Sequence, residues 1–278
     1  MLVPGAEYFH FNGNWIRSEK FTQNAFTSGT TIYEVIRVIN SVPLFLEDHL
    51  DRLTESASLI NFKLWLGIEE IKQTIELLIK INDTKYGNIQ ILLNQLSDSS
   101  GKNFVCKFIP AHYPEPKLYI SGVQSSIFNA VRENPKAKKI NQALREATDK
   151  VIKENKVYEV ILTDENNFIT EGSRSNVFFV KGKNLLTPAS EKVLAGITRK
   201  KIFEICEQNS IKITSRNISI NELTDFNAAF FTGTSPKVLP INCIGRTRFS
   251  PSTPLVKKII ALYDQEIKNY LERFTIST

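Results

Sequence analysis

Ile169-Thr170-Glu171-Gly172-Ser173-Arg174-Ser175-Asn176 is the stretch that decides the fold of this chain. A carboxylate closes an apolar run and is followed by small and polar residues, which let a planar ligand approach the backbone. Upstream stands Lys138-Lys139-Ile140-Asn141, and downstream Leu194-Ala195-Gly196-Ile197-Thr198-Arg199. A lysine, a carboxylate and a Gly-Ile-Thr turn opening a helix are the parts needed to hold an aldehyde that carries a phosphate and a ring nitrogen. Short motifs recur by chance, so the weight falls on their order and shared context.

Each part also has an ordinary structural role. Lys138 lies just before a helix in a segment with Lys136 and Lys139. A lysine forms a Schiff base only as the neutral amine, and neighbouring cations with partial burial favour that form. The same segment taken alone reads as a basic linker in water, and it leaves open whether Lys138 or Lys139 is the reactive one. Glu171 fits a carboxylate beside a pyridine nitrogen, where charge pairing keeps the nitrogen protonated and the ring electron-withdrawing. Alone, it is an acid in a strand-end turn. Gly196-Ile197-Thr198 is expected to open a helix with Thr198 as N-cap, leaving backbone N–H groups and the positive end of the helix dipole to receive a phosphate. Thr232-Gly233-Thr234 offers a second anion-binding cluster at a strand end, with an ordinary turn as its equal alternative. Arg52 is either a bidentate phosphate donor or the partner of Asp48 or Glu55 on its own helix.

Composition excludes several classes. The chain has 278 residues with 42% hydrophobic and 23% charged content, enough for one large domain or two with buried cores. The three cysteines, Cys106, Cys206 and Cys243, are widely spaced and read as reduced thiols. The three histidines show no metal-ligand spacing, and no metal site is expected. The net charge of +6 comes from dispersed lysines without any nucleic-acid-binding motif, so a solvated basic surface is expected rather than a nucleic-acid partner. No leader pattern and no membrane-spanning apolar run are seen, which points to the cytoplasm.

Periodicity orders the elements. Asn12-Gly13 predicts a hairpin over residues 8 to 17, Thr31 to Ile39 a strand, and Asn40 to Pro43 a turn into Leu44-Phe45. Apolar residues at three- and four-residue spacing predict helices over 46–60 and 68–81. Strands are expected at 88–96, 104–109 and 118–121, with a polar loop at 97–102. The second half predicts a helix at 141–154, strands at 159–163 and into Thr170, a hairpin over 178–187, a helix at 198–208, strands at 212–215 and 228–232, and a helix at 256–274. The expected domains are 1–121 and 135–278, joined by a linker over 122–134.

In order along the chain stand Tyr33-Glu34 with Arg37, His49-Leu50-Asp51-Arg52-Leu53, Lys138-x-x-Asn141, Thr170-Glu171-Gly172 with Ser175-Asn176, Thr187-Pro188, Leu194-x-Gly196-Ile197-Thr198-Arg199 and Thr232-Gly233-Thr234. This series resembles the class IV aminotransferases, the fold-type-IV pyridoxal-phosphate enzymes that include branched-chain and D-amino-acid aminotransferases and aminodeoxychorismate lyases. The resemblance spans nearly the whole chain. It implies a mixed α/β (α+β) fold with a smaller N-terminal α/β domain and a C-terminal pseudo-barrel, working as a homodimer with pyridoxal 5'-phosphate. It implies that Lys138 is the Schiff-base lysine and Glu171 the partner of the pyridine nitrogen. Arg52, Ile197, Thr198 and Thr234 fall on the phosphate cup, with Gly196, Thr232 and Gly233 in the same motifs, and Ser175 and Asn176 beside the ring. Tyr33 falls on a substrate-pocket aromatic, with Phe26 and Arg37 near it.

The implied reaction moves an amino group between an amino acid, branched-chain donors included, and a 2-oxo acid. A lyase on the same scaffold, or a non-catalytic cofactor-binding relative, are the alternatives. Gln142 follows Asn141 where branched-chain enzymes carry a tyrosine. Asn94-Gln95-Leu96-Ser97 has no cation where D-amino-acid enzymes hold a substrate carboxylate, which leaves Arg37, Lys102, Arg174 or backbone donors for that task.

Overall fold

The computed structural model describes residues 6–21, 28–96 and 101–276, with side chains as far as Phe274. Phe26 and the loop residues 97–100 lie outside the described residues. Contacts divide the chain into two units, the first holding residues up to His112, Ala137–Ile140 and the stretch from Ile267 onward, the second Tyr113–Lys136 and Asn141–Glu266.

The first unit is an antiparallel sheet covered on one face by helices. Its strands are β1 (Tyr8–Phe11), β2 (Asn14–Arg17), β3 (Thr30–Ile39), β4 (Val42–Pro43), β5 (Tyr86–Gln95) and β6 (Lys102–Ile109), in spatial order β2-β1-β6-β5-β3-β4. Asn12 and Gly13 turn the first hairpin with φ of 45° and 85°, the positive values that a two-residue hairpin turn needs. Helices α1 (Leu46–Leu59) and α2 (Ile68–Ile81) form where the apolar spacing predicts them. On β3 the residues alternate: Ile32, Ile36 and Val38 pack with Leu50, Leu53, Ile71, Ile75 and Leu78 of the helices, while Tyr33, Val35 and Arg37 point to the other face. Glu34 is the one acid in the buried row, and it is fully buried.

α1 starts without a side-chain cap, from Phe45 in the left-handed region. Its first N–H, at Leu46, donates instead to the Tyr270 hydroxyl at 3.0 Å, and that hydroxyl donates to Glu47 at 2.8 Å. β4 covers only the end of β3, at Val38 and Ile39. The uncovered edge at Thr31–Tyr33 is closed by Ala137–Ile140: Tyr33 N–H donates to Lys138 O at 3.0 Å and Ile140 N–H to Thr31 O at 3.0 Å.

The second unit carries β7 (Val123–Asn129), β8 (Glu159–Thr163), β9 (Phe168–Gly172), β10 (Asn176–Lys181), β11 (Asn184–Pro188), β12 (Ile213–Arg216), β13 (Ile218–Ser219), β14 (Ala228–Gly233), β15 (Lys237–Ile244) and β16 (Thr247–Arg248). They form one mixed sheet in the order β12-β11-β10-β14-β15-β7-β8-β9-β13, with β16 on β15. Helices α3 (Leu118–Ser121), α4 (Gln142–Asn155) and α5 (Ile197–Gln208) belong to this unit, as does α6 (Pro254–Ile276) as far as Glu266.

Two sequence expectations change, and one strand appears that the sequence reading left out. Leu118–Ser121 is a helical turn rather than a strand, held by Ser121 N–H to Lys117 O at 2.9 Å and ended by Gly122 at φ 71°. The span expected as a linker contains β7, a central strand parallel to both β15 and β8. Its Gln124, Ser125 and Ser126 hide the strand pattern, and Ser125 is accommodated because its hydroxyl donates to Glu159 O at 2.8 Å. Lys237–Ile244 pairs along β14 although Pro240 interrupts its run of N–H donors.

The core of the sheet includes Phe178 and Phe230, directly opposed on β10 and β14, with rings stacked at 5.2 Å and 6°. Phe178→Ala should cost about 3–5 kcal/mol, because the site cannot collapse onto the void. Urea unfolding monitored by circular dichroism checks this, and a loss below about 1 kcal/mol would contradict the packing.

Candidate active site

In the first unit the site starts at Lys138. Its backbone is held on β3, its N–H donates to Ser56 Oγ on α1 at 3.1 Å, and its Nζ stands 4.8 Å from the centre of the Tyr33 ring. Lys139, the other candidate, pairs with Ile32 across the same edge. The sequence alone does not separate the two. The register of the edge puts their side chains on opposite sides, Lys138 on the side that Tyr33 faces.

Behind β3 lies a buried charge cluster. Arg52 donates from Nε to Glu34 Oε1 at 2.8 Å and from Nη2 to Oε2 at 2.6 Å, while His49 Nδ1 lies 2.8 Å from Oε2. Burial alone would push the Glu34 carboxyl up, but Arg52 and the His49 hydrogen bond overcome it and hold the group well below the usual carboxylate range. Burial pushes the His49 imidazole down against the pull of Glu34, so this ring is neutral near pH 7. Arg52 therefore pairs with an acid on the neighbouring strand. Glu34 and His49 were not predicted as site residues; the signal available was an acid in the buried row of an alternating strand.

The sheet also sorts the cations proposed for a substrate carboxylate. Arg37 shares the Tyr33 face. Lys102 falls on the opposite, helix-covered face with Phe104 and Cys106, its Nζ 5.6 Å from the Trp65 ring. Lys107, which sequence reading missed, lies on the Tyr33 face in the row of Gln90 and Val35, and its Nζ stands 3.4 Å above the Phe21 ring. Burial pulls its ammonium down to about 8. Arg174, in the second unit, is ion-paired with Asp149 on the surface.

In the second unit Glu171 stands one residue before the end of β9 and is 2% exposed. Its Oε1 accepts from Arg132 Nη1 at 2.7 Å, and its Oε2 accepts from Leu194 N–H at 3.0 Å and Asn176 Nδ2 at 3.4 Å. The following turn is closed by Gly172 N–H to Ser175 O at 2.8 Å. A Cβ at Gly172 would lie 2.4 Å from Glu159 Oε1 and 2.4 Å from Ser175 Oγ, so this position requires glycine. Asn176 also donates to Leu194 O at 2.9 Å, and its Oδ1 would lie 2.0 Å from a Cβ on Gly196. Thr232 lies opposite Asn176 on β14, and Gly233 lies against Ser175. Glu171, Ser175, Asn176, Gly196, Thr232 and Gly233 are thus one neighbourhood.

Thr198 is not the N-cap. Gly196 takes that position without a side-chain cap, and Thr198 sits inside α5 with its Oγ1 3.2 Å from the Tyr263 hydroxyl. Ile197 opens the helix and is buried. Gly196 caps because the backbone must approach the Asn176 side chain where no Cβ fits. Thr234 follows directly after β14.

Ser173 Oγ, Ser175 Oγ and Thr232 Oγ1 are buried without a hydrogen-bond partner, and Ser175 faces the Glu159 carboxyl without closing a bond of good geometry. Orphaned buried hydroxyls are rare. Here they lie with a buried carboxylate, glycine-lined backbone and a helix start whose first N–H groups have no intrahelical partner. This donor set fits a flat group with an anionic arm and a basic ring nitrogen.

Residues 31–244 match the family model described as amino-transferase class IV. The chain belongs to the class IV aminotransferase family. Family members work with pyridoxal 5'-phosphate, and the hydroxyls and glycines above suit that group. Among relatives of this family member are a probable branched-chain-amino-acid aminotransferase of Rickettsia bellii, 28% identical over 85% of this chain and 87% of the relative, and a D-alanine aminotransferase of Bacillus licheniformis, 28% identical over 90% and 93%. An aminodeoxychorismate lyase of Bacillus subtilis is 26% identical over 89% of each chain. The branched-chain aminotransferase of Thermoproteus uzoniensis, solved with norvaline, superposes with a TM-score of 0.84 at 22% identity over 96% of each chain. These relatives carry different activities, so the class IV aminotransferase fold here is established more finely than its substrate. No helix among the described residues is long and apolar enough to cross a membrane.

Glu159, on β8 beneath the Gly172–Ser175 turn, is a further acid that sequence reading missed. Burial pushes its carboxyl up to about 7, against the pull of the Arg174 N–H at 2.6 Å. The folded chain therefore keeps a proton that the unfolded chain releases near 4.5, and stability falls as pH rises from 4.5 to about 7. Glu159→Gln cannot ionise and should remove that slope, gaining up to about 3 kcal/mol above pH 7. Urea titrations on either side of that window and within it read the slope directly, and an unchanged slope would contradict this account.

Proposed function

We propose that the protein transfers an amino group from an amino acid to a 2-oxo acid, with Lys138 as the residue that carries the reacting proton. The supporting observation is the fixed lysine: its backbone is pinned to β3 and to Ser56, and its Nζ stands over the Tyr33 ring. A pinned backbone delivers the amine repeatedly to one place, which is where proximity lowers a barrier.

The remaining roles follow from each residue's surroundings. Glu171 holds a proton at the ring nitrogen through its carboxylate. Thr198, Ile197, Gly196, Thr232, Gly233 and Thr234 would receive the phosphate through hydroxyls and backbone N–H groups, and Arg52, its plane fixed by Glu34, would supply a guanidinium. Ser175 and Asn176 would flank the ring. When bound, pyridoxal 5'-phosphate supplies an electron sink for the electron pair left on the substrate's α-carbon. Lys138 Nζ, as the neutral amine, takes the proton released from that carbon. Tyr33 limits the substrate pocket, and Arg37 stands on the same face for the substrate carboxylate. The family resemblance also assigns Phe26 to substrate binding, a residue outside the described ones. A homodimer in the cytoplasm is the working form proposed, on the family resemblance.

The lyase reading rests on the Bacillus subtilis relative. Offering L- and D-amino acids with 2-oxoglutarate, and aminodeoxychorismate separately, distinguishes the two: amino transfer supports the proposal, and pyruvate release without transfer rejects it.

Lys138→Ala should lower turnover by roughly 10²–10⁴-fold or more, the size of a lost general base. Borohydride treatment and peptide mapping should find the cofactor label on residue 138 of the unaltered enzyme, and label elsewhere would move the assignment. Glu171→Gln should keep the cofactor bound and lower kcat about 10–100-fold, as for a lost charge-assisted hydrogen bond. An unchanged kcat would remove Glu171 from the ring nitrogen.

A further inference from the structure

We propose that Arg132 is a positioning residue that keeps Glu171 ionised, so that the proton the two groups share stays on the cofactor's ring nitrogen. This rests on the reading of Glu171 given above and extends it to a residue that belongs to none of the motifs marking the family.

Arg132 lies in the segment between β7 and α4, and its Nη1 donates to Glu171 Oε1 at 2.7 Å. The side chains are 16% and 3% exposed, so the pair is largely out of water. A buried carboxylate facing a ring nitrogen has two ways to place the proton, on the nitrogen or on itself. A guanidinium in contact with one oxygen stabilises the carboxylate form and so favours the nitrogen. The other oxygen receives the Leu194 N–H and the Asn176 amide, which orient it but add no charge. Arg199 is the second cation within the field of Glu171. Its Nη2 donates to Pro188 O and Ser190 Oγ, both at 3.1 Å, and its guanidinium lies 4.8 Å from the Phe203 ring, so it acts on Glu171 only through space. Arg132, by contrast, is in direct charge contact with a Glu171 oxygen.

A merely structural Arg132 would anchor residues 130–136 and affect folding without moving the proton. The two roles separate in the holoenzyme loaded with pyridoxal 5'-phosphate labelled with ¹⁵N at the ring. Arg132→Gln keeps a hydrogen-bond donor and removes the charge, and Arg132→Lys keeps the charge. The expected result is a ring-nitrogen resonance shifted toward the unprotonated position in R132Q and near the unaltered one in R132K, with kcat down about tenfold in R132Q and KM within about twofold. In an E171Q background the R132Q change should add little, because the pair acts as one unit. A protonated nitrogen in R132Q, or equal effects of R132Q in both backgrounds, overturns the proposal. If R132Q does not fold, R132K decides: an unshifted resonance supports the charge role and a shifted one overturns it. Unaltered protein that takes up no pyridoxal 5'-phosphate would instead overturn the functional reading itself.

Discussion

Strand β3 is the element on which the first unit depends, because it is used on both faces and along one edge. Its buried row carries Ile32, Ile36 and Val38 into the helices and, among them, Glu34 into a contact with Arg52 and His49. Its open row presents Tyr33 and Arg37. Its edge, left bare by the two-residue β4, takes up Ala137–Ile140 and so places Lys138. Register couples all three. A slip of one residue would put Glu34 on the open face and Tyr33 in the core, and the Glu34 contact opposes such a slip because it would strand the Arg52 charge without its partner.

Three buried glutamates show how environment sets the behaviour of one side chain type. Glu34 meets a bidentate guanidinium and is held as a carboxylate. Glu159 meets a backbone N–H but no contacting cation, and burial raises it to about 7. Glu171 has Arg132 on one oxygen and neutral donors on the other. Desolvation is common to all three, and the contacting charge is what differs.

Strand alternation also narrows substrate recognition. Lys102 and Lys107 are five positions apart on one strand and so face opposite ways, the first toward Trp65 and the second toward Phe21. A cation's presence in a sequence says little about a pocket until its parity on the strand is known.

Periodicity and turn chemistry determined, from the residues alone, the hairpin at Asn12-Gly13, helices α1, α2, α4, α5 and α6, most strands of both sheets and the motif order that marks the family. These signals are local, so they survive without the fold. β7 was not legible because its polar residues find their partners on β8 and α4, far along the chain, and α3 was misread because four residues carry no period. Thr198 looked like a cap until Gly196 was seen against Asn176. Arg132, Glu34 and Glu159 acquire meaning only from what they touch across strands, since a charge next to another in space need not be near it in sequence. The sequence determined which chemistry the chain carries; the tertiary structure decided which charges are paired, which hydroxyls are left without partners and which lysine faces Tyr33, because those depend on contacts between residues far apart along the chain.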